Sequence, residues 1–345
     1  FLVSFMIALT SKPRNARQVR ANRAASTGST QLYAAHSVLS SGKWAKIRVP
    51  ANGIYNLTAD VVRRAGFSDL SKVRIYGYGG NLQNEKISSA YLKEFDDLKE
   101  VPSCLIGGKR LFYGRGPVSW DSNTAVVRTR NHYSNYGYYF ITESTEAPLT
   151  IDADAFLASV YPTADDYHSL HEVENYSWFP GGRRFFENTP IPLGKSQTYT
   201  FKNETKATNR TFAIGVSAGK GRTTVQVEVN GAKKDELRLY TGEFDFGAEV
   251  ERIYTLAGQN DVDSIKITTL SGGPARLDYV SMTYDKPRSA PNLAEGTFPV
   301  PEYVHNITNQ DLHSHTPVDL VIIIPTSQKL LKQAQRLATF HEQHD

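Results

Sequence analysis

The unbroken apolar run at residues 318–324 (VDLVIII) most constrains what this chain can fold into. Four consecutive aliphatic residues, 321–324, are typical of a strand that is buried on both faces of a parallel sheet. A helical stretch at 328–344 follows, so the pattern predicts the first strand and helix of an α/β domain. Leaving the four side chains in water would forfeit roughly 6–12 kcal/mol, at about 1.5–3 kcal/mol each. We therefore expect the chain to be a piece of a longer protein whose sheet continues beyond Asp345.

The beginning of the chain supports the same expectation. Residues 1–9 (FLVSFMIAL) form an apolar run of signal-peptide length that is too short to span a bilayer. Residues 12–23 then contain five basic residues and no acidic one. We interpret residues 1–30 as the remnant of an export signal and a basic linker, with a nucleic-acid arm and a membrane anchor as alternatives. Without these five charges the net charge of +4 becomes −1 (4 − 5), so the body of the chain offers nucleic acid no basic surface.

Composition indicates a folded, β-rich protein of two or three domains. The chain has 345 residues, of which 40% are hydrophobic, and its 19 Tyr and 16 Phe favour strands. Cys104 is the single cysteine, so no internal disulfide can form. It lies in an apolar hairpin that turns at Gly107 and Gly108, which predicts a buried structural thiol.

Residues 31–150 have the pattern of an N-terminal β-rich domain. The alternation in residues 43–49 places Ala45, Ile47 and Val49 on one face of a strand. A short helix is predicted at 59–65, ended by Gly66 in the left-handed conformation. Further strands are predicted at 53–57, 73–76, 100–106, 109–113 and 137–142.

Residues 151–290 have the pattern of an antiparallel β-sandwich, similar to a jelly roll. Residues 223–229 (TTVQVEV) alternate cleanly, and Asn230-Gly231 is a strong signal for a two-residue hairpin. Prolines and a lack of periodicity predict a linker at 291–317, and residues 318–345 open the last domain. Seven short strands are predicted at 197–202, 210–217, 223–229, 236–240, 250–256, 263–269 and 276–284.

The sequence contains no complete catalytic or metal-binding constellation. His341 and His344 are three residues apart, whereas a zincin helix needs a spacing of four, so we predict a solvated helix end. Asp311, His313 and His315 alternate in a polar segment that we predict to be a loop. The glycines at residues 77–80 predict a tight turn, because no helix with Lys and Ser/Thr follows them as in a phosphate loop. We expect no cofactor and no metal.

Two further pairs of acidic residues carry no catalytic prediction. Asp96 and Asp97 are adjacent in sequence, as are Asp165 and Asp166. Neighbouring side chains on an extended chain point apart, so neither pair forms an acid/base couple by spacing alone.

Six segments in a fixed order carry a resemblance to a known family. The chain is similar to the amino-terminal region of the gingipain-like cysteine peptidases that act as sortases of the type IX secretion system in Bacteroidetes. The likeness runs from about residue 40 to the end, through ARLDYVSMTY (275–284) and the 318–345 segment. The six segments are GKWAKIRV (42–49), GIYNLT (53–58), KVRIYGYGG (72–80), DDLKEVP (96–102), YGRGPVSW (113–120) and NHYSNYGYYFIT (131–142).

The resemblance implies a cell-surface enzyme at the outer membrane of a Gram-negative bacterium. Such an enzyme removes the C-terminal secretion signals of cargo proteins, and the sortase branch joins the cargo to an anionic lipopolysaccharide. The reaction is acyl transfer through a thioester, with a Cys nucleophile and a His base on a caspase-like α/β fold. Cargo proteins and other outer-membrane secretion components are the implied partners.

The resemblance also implies that the catalytic Cys/His dyad lies beyond Asp345, since neither Cys104 nor His341 matches the family's catalytic positions. The 345-residue chain alone is then expected to be inactive, and residues 318–345 are expected to begin a truncated peptidase domain. The main alternative is a non-catalytic surface module whose β-sandwich binds glycan or protein. A pro-region that inhibits its own catalytic domain is a further alternative.

Overall fold

The computed structural model describes residues 33–219, 221–314, 320–325 and 327–344, together with the backbone of 5–10. The chain divides into two compact units. Unit 1 comprises Phe1–Gly42, Ile87–Leu98 and Asn309–Asp345, and unit 2 comprises Lys43–Lys86 and Lys99–Thr308.

Antiparallel strands dominate the described residues, and helices are few and short. In chain order the strands are β1 (Phe5–Thr10), β2 (Trp44–Val49), β3 (Gly53–Asn56), β4 (Val73–Gly79), β5 (Ser103–Ile106), β6 (Lys109–Gly114), β7 (Val118–Ser119), β8 (Thr129–Arg130), β9 (Gly137–Glu143), β10 (His168–Glu172), β11 (Ser196–Lys202), β12 (Asn209–Ala218), β13 (Gly221–Val229), β14 (Ala232–Thr241), β15 (Ala248–Ala257), β16 (Val262–Ser271), β17 (Ala275–Tyr284), β18 (Glu302–Ile307) and β19 (Leu320–Pro325). The helices are α1 (Ala59–Arg64), α2 (Ser89–Glu94), α3 (Ala153–Val160) and α4 (Leu331–His344).

The first part of unit 2 contains a four-stranded sheet in the order β18-β2-β9-β4 and a three-stranded sheet in the order β3-β6-β5. As the alternation predicts, Ala45, Ile47 and Val49 of β2 are buried in one core. Helix α1 ends as predicted, because Gly66 takes a φ of +76°. The β5–β6 hairpin also confirms its prediction, with Gly107 and Gly108 both at positive φ.

The second part of unit 2 is the predicted β-sandwich. Two four-stranded antiparallel sheets, β10-β17-β12-β15 and β11-β16-β13-β14, enclose a single apolar core. All seven predicted strands are present, and β10 is an eighth that the sequence analysis did not predict. The turn at Asn230 and Gly231 has φ values of 52° and 82°, as a two-residue hairpin requires. Strand β17 is buried along its whole length, so its face away from the sandwich core is covered as well, and Ser281 and Thr283 donate to the backbone oxygens of Val126 and Ala125.

Two local predictions in unit 2 differ from the structure. The range 291–317 was predicted as a linker, yet β18 lies within it and pairs antiparallel with β2. The glycines at 77–80 were predicted as a tight turn, but β4 continues through Gly79 with an irregular register after Tyr76. A Cβ on Gly79 would stand 2.8 Å from the Arg115 backbone oxygen, so glycine is needed there for close approach of the two backbones.

Unit 1 contains residues 320–324 of the apolar run. The run forms β19, and α4 follows it, which confirms the predicted strand and helix. The pattern predicts a strand of a parallel sheet, but within the described residues β19 pairs antiparallel with β1, a segment interpreted as part of the export-signal remnant. Ile324 is buried, whereas Val321 and Ile323 are 47% and 59% exposed. The described residues therefore cover only part of the strand that was predicted to be buried on both faces.

Candidate functional site

Three buried carboxylates come together on one sheet of the sandwich. Glu172 ends β10, Glu174 lies two residues further, and Asp278 is on β17. Glu172 of β10 lies opposite Tyr279 of β17, and the β12–β17 pairing skips Asp278 in a register shift, which allows the Asp278 side chain to turn toward Glu172. One oxygen from each of the three carboxylates lies within 4.8 Å of the others. We call Glu172, Glu174 and Asp278 the carboxylate cluster.

Two arginines from the first part of unit 2 reach into the carboxylate cluster. Arg128 Nε donates to Glu172 Oε1 at 2.8 Å, and its Nη2 donates to Asp278 Oδ1 at 3.1 Å. Arg130 Nη1 donates to Glu172 Oε2 at 2.9 Å, and its Nε lies 3.6 Å from Glu174 Oε2. The Arg128 guanidinium also stacks on the ring of Tyr279, 3.7 Å from the ring centre.

The charges of the cluster do not cancel. Three carboxylates face two guanidinium groups, which leaves one negative charge in a buried place when every group is ionised. Burial, followed by repulsion from Glu172, raises the pKa of Glu174 to about 8. Burial likewise raises the pKa of Asp278 to about 6, against the opposing effect of Arg128. The cluster therefore holds a proton readily.

A cleft of about 720 Å³ lies beside the carboxylate cluster and is lined by Arg130, Glu172 and Glu174. Trp120 also lines it and stacks on His168, with ring centres 3.9 Å apart and planes 9° apart. The two ring nitrogens of His168 lie within hydrogen-bond distance of the backbone oxygens of Ala164 and Ala125. Burial lowers the pKa of His168, against the opposing effect of the contacts with Ala164 and Ala125, and its ring serves as a packed support for Trp120.

The loops at one end of the sandwich carry a second candidate site, which we call the end-loop patch. Its members Phe179, Phe244 and Phe246 are all exposed, Phe244 by 90%. Phe179 and Phe246 are in ring contact at 4.7 Å. Trp178 lies beside them in a pocket of about 270 Å³, and a Cβ on Gly247 would come within 2.5 Å of its ring. The glycine thus lets the two loops close on each other.

The cysteine and histidines that were considered as candidate catalytic or metal-binding residues make local contacts where the structure describes them. Cys104 is fully buried on β5, and burial raises the pKa of its thiol. His341 and His344 lie near the end of α4, where the His344 ring stacks on Phe340. His313 lies 3.7 Å from Asp96, and His315 falls outside the described residues.

The acidic pairs act in local structure. In unit 1, Asp97 accepts from Val38 N at 2.7 Å, and Asp311 accepts from Ser37 N at 2.9 Å. In unit 2, Asp165 accepts from Asn52, and Asp166 accepts from the start of its own turn. These carboxylates tie loops together.

The carboxylate cluster and its arginines are not predicted from the sequence. A signal was present, because Arg128 and Arg130 are two residues apart, as are Glu172 and Glu174. A spacing of two on an extended chain places both charges on the same face, so each pair acts as one doubly charged group. The fold determines that the arginine pair meets the glutamate pair across more than 40 residues of sequence. The spacing within each pair does not reveal this contact.

The described residues thus form a mainly β protein that contains an antiparallel β-sandwich, and none of their helices is long and apolar enough to cross a membrane. Among solved structures, dimeric latent PorU from Porphyromonas gingivalis is similar to this chain, with a TM-score of 0.64. The likeness has 22% sequence identity and covers 95% of this chain and 38% of PorU. At this identity it shows a PorU-like fold and no more, and the chain spans well under half of PorU's length.

Two carbohydrate-binding proteins are much less similar. The GH26-CBM35 β-(1,4)-mannanase of Podospora anserina has a TM-score of 0.26 and 18% identity, over 36% of this chain and 29% of its own. A family 35 carbohydrate-binding module from an environmental isolate has a TM-score of 0.25 and 19% identity, over 36% of this chain and 91% of its own. These scores support no conclusion about this chain. No family model and no curated protein matches it.

Proposed function

We propose that this chain is the front portion of a cell-surface gingipain-like cysteine peptidase that acts as a type IX secretion sortase. The observation that carries the proposal is the PorU-like fold, which extends over 95% of the chain and includes both parts of unit 2. The series of segments between residues 42 and 142 that resembles the same family is compatible with the proposal.

In this proposal the described residues supply the framework of the enzyme and not its nucleophile. A cysteine nucleophile must be exposed and ionised beside a base, whereas Cys104 is buried and its pKa is raised. The acyl transfer that removes a cargo's C-terminal secretion signal would use a Cys and a His encoded beyond Asp345. The proposed partners are secreted cargo, other outer-membrane secretion components and an anionic lipopolysaccharide.

A chimeric enzyme tests the proposal. The matching region of PorU in Porphyromonas gingivalis is replaced by residues 33–345 of this chain, and removal of the C-terminal signal from secreted cargo is followed by mass spectrometry. We expect cargo to be matured, and a strain that lacks the matching region to leave the signal in place. A chimera that reaches the cell surface and reacts with a cysteine-directed active-site label, yet matures no cargo, would refute the proposal.

Two simpler measurements accompany the chimera. The purified 345-residue chain is expected to cleave no cargo signal peptide. The coding sequence that follows the codon for Asp345 is expected to continue in frame with further strands, a His-Gly pair and a later Cys.

The end-loop patch favours a second function, a surface module that binds glycan or protein. Exposed aromatic rings beside a small pocket are a common basis for recognition, and a neighbouring charged pair, Arg184 with Glu249 at 2.7 Å, adds polar contacts. Binding to a glycan array should fall at least tenfold in a Phe244→Ala/Phe246→Ala variant. Tyr240→Ala changes an exposed ring elsewhere on the sandwich and is the matched control. Equal binding by all three proteins would remove the end-loop patch as the site.

A further inference from the structure

The pocket beside the end-loop patch has walls of aromatic rings. Phe179 and Phe246 contact each other with their ring centres 4.7 Å apart. Phe186 is buried, whereas Phe244 is 90% exposed, so the rings extend from the protein interior to the loop surface. Pockets for drug-sized ligands measure about 300–1,000 Å³, so a pocket of about 270 Å³ suits a single headgroup. The rings that line it are those of Trp178, Phe179, Phe186, Phe244 and Phe246.

One charged side chain that lines this pocket lacks a counter-charge. Arg184 pairs with Glu249 at 2.7 Å, and Arg183 pairs with Glu85. The two arginines are therefore neutralised by acidic partners. Asp245 also lines the pocket, and its carboxylate forms no ion pair with any residue that the structure describes. The charge left for a ligand is thus negative, which favours a cation.

A neighbouring arginine shows that aromatic rings in this region contact cations. The Arg276 guanidinium lies 3.4 Å from the ring centre of Tyr176 and 5.5 Å from that of Trp178. Its Nη1 donates to the backbone oxygens of residues 187 and 188, and Arg276 does not line the pocket. The three phenylalanines of the end-loop patch stack on no cation of the described chain, so their ring faces are available to a ligand.

We propose that this pocket binds a quaternary ammonium group, such as that of choline, with the aromatic rings as its walls and Asp245 as its counter-charge. Cations bind over the faces of aromatic rings, and quaternary ammonium groups are recognised by aromatic cages. Rings are only weak hydrogen-bond acceptors, so a primary ammonium group would leave its N–H groups poorly paired there, whereas a quaternary group has none. The inference rests on the second proposed function, in which the end-loop patch is a binding site, and it names the ligand class.

Titration of the purified 345-residue chain with choline chloride, followed by NMR at constant ionic strength, tests the proposal. The matched probe is dimethylbutanol, the neutral isostere in which a tert-butyl group replaces the trimethylammonium group. We expect a Kd of about 1 mM for choline, because the ligand is small and the site is partly exposed. Dimethylbutanol should bind about tenfold more weakly, because it lacks the cation. Ethanolamine, whose ammonium group is primary, should also bind more weakly than choline.

Variants of exposed residues make the result specific without endangering the fold. Phe246→Leu keeps an apolar side chain but removes a ring face, so it should weaken choline binding about tenfold and leave dimethylbutanol binding unchanged. Asp245→Asn removes the counter-charge and should weaken choline binding about threefold or more. Glu243→Gln is the matched control, because Glu243 is an exposed carboxylate of the same loop that does not line the pocket. Its affinity for choline should equal that of the unmodified chain.

Three outcomes would overturn the proposal. Equal affinity for choline and dimethylbutanol would mean that the pocket recognises apolar shape and not charge. Unchanged choline affinity in both Phe246→Leu and Asp245→Asn would place the binding elsewhere. Absence of choline binding to the folded, unmodified chain would remove this ligand class, and glycan-array binding that depends on Phe244 and Phe246 would then still support the second function.

Discussion

Replacing Asp263 by Asn should destabilise the sandwich far more than the loss of one charge on its surface. Asp263 and Arg210 form an ion pair in which both side chains are only 1% exposed. Arg210 Nε donates to Asp263 Oδ2 at 2.6 Å, and Asn230 Nδ2 donates to Oδ1 at 2.9 Å. Every partner of this carboxylate is a donor, so an amide would offer one acceptor in place of two and would direct its own NH₂ at other donors.

The magnitude follows from the burial of the guanidinium. Removing one member of a buried ion pair costs about 3–5 kcal/mol, because the remaining charge is left without compensation. At about 2–4 °C per kcal/mol for a domain of this size, the melting temperature should fall by about 6–20 °C. The matched control is Asp261→Asn, two residues away, because Asp261 is 78% exposed and pairs with Lys206 at 3.1 Å. That substitution should cost about 0–1 kcal/mol.

Urea denaturation followed by circular dichroism measures both variants under the same conditions. A double-mutant cycle with Arg210→Met and Asp263→Leu should give an interaction energy of about 0.5–3 kcal/mol. The double variant should recover only part of the stability that the single variants lose. Arg210 also donates to the backbone oxygens of Ala207 and Gly258, which lose this donor. If Asp263→Asn shifts the midpoint no further than Asp261→Asn, the pair is not desolvated as described and the reasoning fails.

Three further predictions concern single sites. Gly137→Ala should destabilise the protein by about 1–3 kcal/mol, because the new Cβ would lie 1.8 Å from the Arg115 backbone oxygen. An unchanged melting temperature would contradict this close approach. The Cys104 thiol should resist a thiol reagent in the folded protein and react in urea, because it is buried with a raised pKa; rapid labelling without urea would count against it. In the folded protein the pKa of Glu174 is raised to about 8, whereas in the unfolded chain it is close to the ordinary value of 4.5, so this group lowers stability progressively as the pH rises between those values. Glu174→Gln removes that loss, and its melting temperature relative to the unmodified protein should rise across the same window; a difference that is independent of pH would refute the assignment.

Local patterns in the sequence predict the strands and turns of this fold well. The alternation in residues 223–229 predicts β13, whose alternate side chains from Thr223 to Val229 are buried. Asn230 and Gly231 predict the hairpin that follows, and Gly66 predicts the end of α1. Each signal depends on a few neighbouring residues whose backbone preferences agree with the fold.

Long-range pairing could not be predicted in the same way. Strand β18 lies in a proline-rich stretch and is held as a strand by β2, which is more than 250 residues away. The carboxylate cluster likewise depends on β10 meeting β17 and on the β8 segment lying over them. Charges such as Arg128 and Glu172 usually lie in solvent, so composition gives no reason to pair them until the sheets are in place.

The apolar run at β19 shows what a sequence pattern specifies and what it leaves open. The pattern predicts that the side chains need burial, and the structure meets this need for Ile324 but leaves Val321 and Ile323 about half exposed. At about 1.5–3 kcal/mol for each fully buried side chain, half-exposure of two residues forfeits roughly 1.5–3 kcal/mol. The pattern did not predict that β1 would be the partner, because apolar periodicity is the same whichever strand lies alongside. Hydrophobicity thus determines that a strand must be covered, whereas hydrogen-bond pairing and the rest of the fold determine which segment covers it.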